Sequence, residues 1–274
     1  MRSRIVYRGV DAPKKRKTIP WTLPAVIAGA ALLIMVGIVY LIRLPAMQIR
    51  DVAVTGTKTL DEQGVRERII LALAGARALI FPRSSFFLAD AHEIAYGLRH
   101  DFPRIRDIAI AKKFPDKLDV TITERVFWGV FCNGRAGSST AACVYIDSDG
   151  IAYEYALEPQ GKLIISIQSD GAGDIALGAP VIDPAIMGRI RGLAEKIPVA
   201  IGSAVVDFEL HTRVPSEIRA IAADGVMMIF KREDDYAATL GVLKRVLDGE
   251  IKDRRSRLDY IDLRFGNKVF YKLK

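Results

Sequence analysis

The side chains able to do chemistry are few and scattered along this chain of 274 residues. His92, His100 and His211 are too widely separated to share a metal ion. The first two stand eight residues, or two turns, apart on one predicted helix, outside the usual spacing of metal ligands. Asp147-Ser148-Asp149-Gly150 begins like a calcium loop, but the further acid and the glycine at the sixth position are missing, and a turn between strands accounts for it. Gly171-Ala172-Gly173 follows no phosphate-cradling pattern. Glu124-Arg125 pairs an acid with a base, but neighbours on a strand point to opposite faces, which suits a structural ion pair or a contact between domains. No nucleophile has a base at hand. The expectation is therefore no catalytic residue, no metal and no cofactor.

The two cysteines, Cys132 and Cys143, flank a Gly-Ser-Thr-rich loop over residues 133–142. In an oxidising compartment they read as a disulfide closing that loop, worth roughly 3 kcal/mol in the chain-entropy model. In a reducing one they would be two buried thiols.

The compartment follows from the N-terminal elements. No charged residue lies between Lys17 and Arg43. About 20 apolar residues cross a bilayer of about 30 Å, so residues 19–42 form a candidate span. Pro20 and Pro24 fall near its start, and Trp21 and Tyr40 near its two ends, where interfacial aromatics prefer to lie. The apolar core is too long for a cleaved signal peptide and ends in Leu44-Pro45-Ala46-Met47, a poor cleavage site. Residues 1–18 carry Arg2, Arg4, Arg8, Lys14, Lys15, Arg16 and Lys17 against Asp11, which favours a cytoplasmic tail and an extracytoplasmic bulk. Most of the formal charge of +8 is in that tail. The basic balance is thus a topology signal, and no nucleic-acid surface is implied.

After the span, residues 48–55 alternate as a strand, and Thr59-Leu60-Asp61-Glu62 has the form of a capping box ahead of a helix over 61–74. A loop with Phe81-Pro82 and Phe86-Phe87 precedes a second helix from Asp90, which Phe102-Pro103 ends. Residues 105–113 and 117–123 read as a hairpin across Phe114-Pro115-Asp116. Strand, helix, helix, strand and strand make a small α+β unit. Strands then follow at 127–132, 143–146, 151–156 and 162–168, a helix from Asp183-Pro184 to Lys196, and strands at 203–210, 217–222 and 226–232. A helix over 235–247 precedes a hairpin of 258–265 and 268–273 across Gly266-Asn267.

This layout resembles a POTRA domain behind a membrane anchor. Ile49-x-x-Val52-x-Val54-x-Gly56, then Phe114-Pro115-x-x-Leu118-x-Val120-x-Ile122-x-Glu124-Arg125, is similar to the FtsQ/DivIB family of bacterial cell-division proteins. So is the ending Ile261-Asp262-Leu263-Arg264-Phe265 with Asn267-Lys268-Val269. The chain departs from the family where Phe127 and Gly129 follow the Glu-Arg pair, and in the cysteine loop.

The resemblance implies a POTRA domain at residues 47–125, a mixed β-sheet domain at 126–274, and a non-enzymatic scaffold in the bacterial cell (inner) membrane, concentrated at the division septum. Its partners would be FtsB- and FtsL-like single-pass proteins and other divisome components, and it would influence septal peptidoglycan synthesis. If residues 258–265 lie at a sheet edge, Tyr260, Asp262, Arg264 and Phe265 could receive a partner strand, with Arg254, Arg255 and Arg257 steering an acidic segment toward it. Equally, these side chains could form a solvated face and a solvated loop. Other POTRA-bearing membrane proteins of secretion or envelope assembly, and a membrane-anchored cell-wall enzyme, are the remaining alternatives.

Overall fold

A computed structural model describes residues 9, 22–77, 81–134, 142–159, 161–171, 173–266 and 268–274. The basic tail, Pro20, Trp21, most of the cysteine-flanked loop, and Asn267 of the last turn lie outside the described residues, and of Pro24 only the backbone is described.

The chain is α+β. Helix α1 (Thr22–Arg43) is apolar, long enough to cross a membrane, and has no buried residue over Ala25–Arg43. A single 3-10 turn, Pro45–Met47, joins it to strand β1 (Asp51–Thr55). Then come α2 (Glu62–Leu73), the short strands β2 (Ala76–Arg77) and β3 (Phe81–Pro82), α3 (Ala91–Asp101), β4 (Ile105–Lys113) and β5 (Lys117–Glu124). β1 pairs in parallel with β5, and β5 antiparallel with β4.

The packing follows from alternation. Leu118, Val120 and Ile122 of β5 are buried, whereas Lys117, Thr121 and Thr123 between them are exposed. Val65, Ile69, Ile94 and Leu98 of the two helices close over them.

A nine-stranded sheet holds the rest: β6 (Gly129–Asn133), β7 (Ala142–Ile146), β8 (Ala152–Ala156), β9 (Ser166–Ser169), β10 (Val205–Leu210), β11 (Glu217–Ala222), β12 (Met227–Lys231), β13 (Leu258–Phe265) and β14 (Lys268–Leu273). Its order is β14-β13-β12-β11-β10-β9-β6-β7-β8. Helices α4 (Pro184–Ile201) and α5 (Tyr236–Val246) cover one face, burying Ile190, Leu193, Leu240 and Leu243 against Phe208, Met228 and Phe230.

Helix α4 outruns its expected end at Lys196, continuing through Pro198 to Gly202, whose φ of 69° closes it. An interior proline costs about 3 kcal/mol. Burying Ile197 and Ile201 returns about 2 kcal/mol each, which outweighs it. The expected capping box also resolves differently. Asp61, not Thr59, caps α2, accepting from the amides of Gln63 and Gly64 at 3.1 and 2.9 Å. Thr59 is occupied elsewhere, on the carboxylate of Glu124.

Glu124 and Arg125 fasten two different things. Glu124, buried, accepts from the amides of Lys58, Thr59 and Leu60 and from the Thr59 hydroxyl. Burial alone would raise its pKa, but these four donors outweigh it and hold it at about 2. Arg125 donates to Asp147 at 2.5 Å and to the Pro103 carbonyl at 3.1 Å, joining the three-stranded unit to the turn between β7 and β8. That turn is the Asp147-Ser148-Asp149-Gly150 segment, and Asp147 also accepts from the amides of Asp149 and Ile151. Around this buried pair, Arg106 reaches Asp149 at 3.1 Å and Arg104 reaches Glu154. The neighbouring acid and base are thus a loop clamp and a contact between the two sheets.

Candidate partner-binding surface

The hairpin of β13 and β14 is placed by the buried apolar side chains of β13. Leu258, Ile261 and Leu263 are buried under α5, which fixes the register of β13. β13 is not an edge strand, as the candidate site required. It runs parallel to β12, with Met228 opposite Ile261, and antiparallel to β14, with Asp262 opposite Phe270. β14 ends the sheet.

Among the candidate residues, Asp262 and Arg264 serve each other. The Arg264 guanidinium donates to Asp262 at 2.6 and 2.9 Å and to the buried Glu217 of β11 at 2.6 Å. Burial disfavours the Asp262 carboxylate, yet the hydrogen bonds from Arg264 prevail and lower its pKa. Glu217 also takes Arg219 at 2.7 Å, so two acids and two arginines tie β11 to β13 across β12. Tyr260 is half-buried beside this network.

Phe265 is exposed and meets Phe270 of β14 edge-on, with ring centres 5.3 Å apart, while Arg264 lies over its other side. The three arginines before β13 do not form one patch. Arg255 braces the fold, donating to Asp224 at 2.7 Å and to the Ile201 carbonyl at the end of α4. Arg254 bonds the Glu250 carbonyl, and both Arg254 and Arg257 have exposed side chains.

The surface sequence reasoning missed is β14 itself. Lys268, Phe270, Tyr271 and Lys272 are exposed on the outermost strand, with Lys272 paired to Asp259 at 3.0 Å. Lysines bracketing apolar residues are a mark of edge strands, and the run Lys268 to Lys272 carries it. Such an edge offers unpaired backbone donors and acceptors to an added strand, with exposed aromatic side chains beside them.

The histidines lie elsewhere. His211 sits between Asp170 and Glu209, at 3.2 Å from each, where the Thr212 amide and hydroxyl lower the Asp170 pKa to about 2. His100 contacts Asp101 at 2.9 Å, and His92 is exposed on α3. Cys132 and Cys143 are joined in a disulfide across the paired strands β6 and β7.

Residues 47–125 match the family model of the POTRA domain, FtsQ-type. With the apolar helix just before them, they define a POTRA-domain protein with a helix long and apolar enough to cross a membrane. Its FtsQ-type unit, the preceding helix and the mixed sheet beyond fit an FtsQ/DivIB-like protein, a family that is generally non-enzymatic. No curated protein matches the chain in a whole-sequence comparison.

Proposed function

We propose that this protein is a non-enzymatic scaffold of the bacterial division machinery. It binds FtsB- and FtsL-like membrane partners at the septum and so helps control septal peptidoglycan synthesis. The observation that carries this reading is the FtsQ-type POTRA match directly behind a membrane-length apolar helix. In this reading residues 1–18 are the cytoplasmic tail, 19–42 the span, 47–125 the POTRA domain and 126–274 the partner-binding β domain. The protein resides in the bacterial cell (inner) membrane, with its bulk outside the cytoplasm.

The partner strand adds to β14. Phe265 and Phe270 offer it a ring pair, while Tyr260, Asp262 and Arg264 hold the adjacent strand rigid. Arg254 and Arg257 steer an acidic segment toward this edge, and Arg255 keeps the turn in place.

A fluorescent fusion should gather at midcell in dividing cells, and depletion should block septation. Uniform membrane fluorescence with normal division would sink this reading. A pull-down of the region after α1, with mass spectrometry, should return small single-pass coiled-coil proteins. Recovery of secretion components instead would favour another POTRA-bearing role.

A further inference from the structure

Exposed aromatic side chains also gather far from β14, at the end of the POTRA unit next to α1. Phe86 packs edge-on against both Phe87 and Phe114, with ring centres 5.7 Å apart in each case. Phe87 is 49 % exposed and Phe114, in the turn between β4 and β5, is 66 % exposed. Lys112 braces the group, its ammonium donating to the carbonyls of Phe86 and Ala89 at 3.0 and 3.1 Å and lying 5.5 Å over the Phe86 ring. Two phenylalanines left half or more in water, on a framework this well bonded, imply something apolar against them.

The backbone ties them to the residues that follow α1. The Phe86 amide donates to the Met47 carbonyl at 2.8 Å, and the Ile49 amide to the Ser84 carbonyl at 2.8 Å. On the other side, the Arg50 amide donates to the Asp116 carbonyl at 2.9 Å, fixing the turn that carries Phe114. Both aromatic segments are thus stitched to residues 47–50, immediately after α1. From Arg43 to Met47 the path is four residues, tightened by the 3-10 turn, and at about 2 Å rise per residue it spans roughly 8 Å. The polar layer on one side of a bilayer is itself roughly 5–8 Å thick. Leu44, Pro45, Ala46 and Met47 add no charge to this stretch. Near the tip Lys113 and Lys117 pair with Asp119 and Asp51 and Lys112 holds the Phe86 and Ala89 carbonyls, whereas the exposed Arg50 suits a lipid phosphate.

We propose that the Phe86–Phe87–Phe114 tip rests in the interfacial layer of the membrane that α1 crosses, giving the POTRA unit a second point of attachment. Phe87 and Phe114 enter the boundary between headgroups and acyl chains, and Arg50 beside them meets the phosphates. With two attachments the unit has a fixed tilt and height above the bilayer. The proposal rests on α1 spanning that bilayer.

The two native cysteines are paired, so an added cysteine can be spin-labelled alone. Full-length protein is placed in bilayer nanodiscs of phosphatidylethanolamine and phosphatidylglycerol, with labels at Phe87→Cys and Phe114→Cys. Ile34→Cys in α1 and the exposed Val199→Cys on α4 serve as references. The measurement is the ratio of collisions with oxygen, which concentrates in lipid, to collisions with a water-soluble nickel chelate. The expected ratio at positions 87 and 114 is severalfold above that at 199 and approaches that at 34. Lys113→Cys, a solvated position at the same tip, should lie between them and carries the test if a phenylalanine variant misfolds. Ratios at 87, 113 and 114 equal to that at 199, with 34 immersed, would overturn the proposal. So would a label that is immobilised but shielded from oxygen, the mark of a protein partner. An aqueous ratio at 34 would instead remove the membrane-spanning reading itself.

Discussion

The nine-stranded sheet has one covered edge and one open one. At β8, Ala152 exchanges hydrogen bonds with Gly178 and Ala179, a bridge joins Ile151 to Pro180, and Arg104 reaches Glu154 and the ring of Tyr153. At β14 no further strand pairs among the described residues, and two phenylalanines and a tyrosine are exposed along or beside it. An open edge is a hazard for indiscriminate pairing, which Lys268 and Lys272 restrain. One sheet thus uses its two edges differently: β8 joins the POTRA unit, and β14 stays open, as the proposed partner strand requires.

The largest effect should come from breaking the covered side. Asp147→Ala leaves the buried Arg125 and two amides without their acceptor, and should lower stability by about 3 kcal/mol, read as a fall in the urea midpoint. Next is Glu124, whose pKa falls from an ordinary 4.5 to about 2 on folding. A depressed carboxylate stabilises the fold above its unfolded pKa, and that contribution is lost as pH falls from about 4.5 through about 2. Glu124→Gln should therefore cost about 2 kcal/mol at neutral pH, and the native and variant curves should converge near pH 2.

The open side should behave in the opposite way. Phe270→Asp is expected to cut recovery of an FtsB-like partner by at least ~10-fold while leaving the melting temperature unchanged. A fall in melting temperature with partner recovery intact would reverse the assignment of the two edges. Smallest is Arg254→Glu at the rim, which should slow association a few-fold and flatten its salt dependence. Arg255 is unsuited to that test, because it holds Asp224 and the end of α4.

Much of this was legible in the sequence, because local rules govern it. Aspartates open three of the helices where expected, at Asp90, Asp183 and Asp235, and alternation marks β5 correctly. What could not be read was set by distant partners. Thr59 loses its capping role to a carboxylate 65 residues away. The hairpin of β13 and β14 was legible, but which of its strands faces solvent depends on β12 pairing in parallel with β13. The Asp262–Arg264 face looked free because Glu217, its third member, is 47 residues distant from Arg264. The β2–β3 pair was read only as loop, since strands of two residues carry no periodicity.

The junction between the POTRA unit and the sheet mixes one buried ion pair with two more exposed ones, and these respond unequally to ionic strength. The Debye length falls from about 8 Å at physiological salt to about 3 Å at 1 M. The exposed Arg106–Asp149 contact and the half-exposed Glu154 end of the Arg104 contact weaken under that screening, whereas Arg125–Asp147 is shielded from it. A rise in ionic strength would therefore loosen the rim of the joint and leave its pivot. The two units would rock about Arg125 without coming apart, so the angle between the POTRA unit and the sheet would vary with the saltiness of the surroundings.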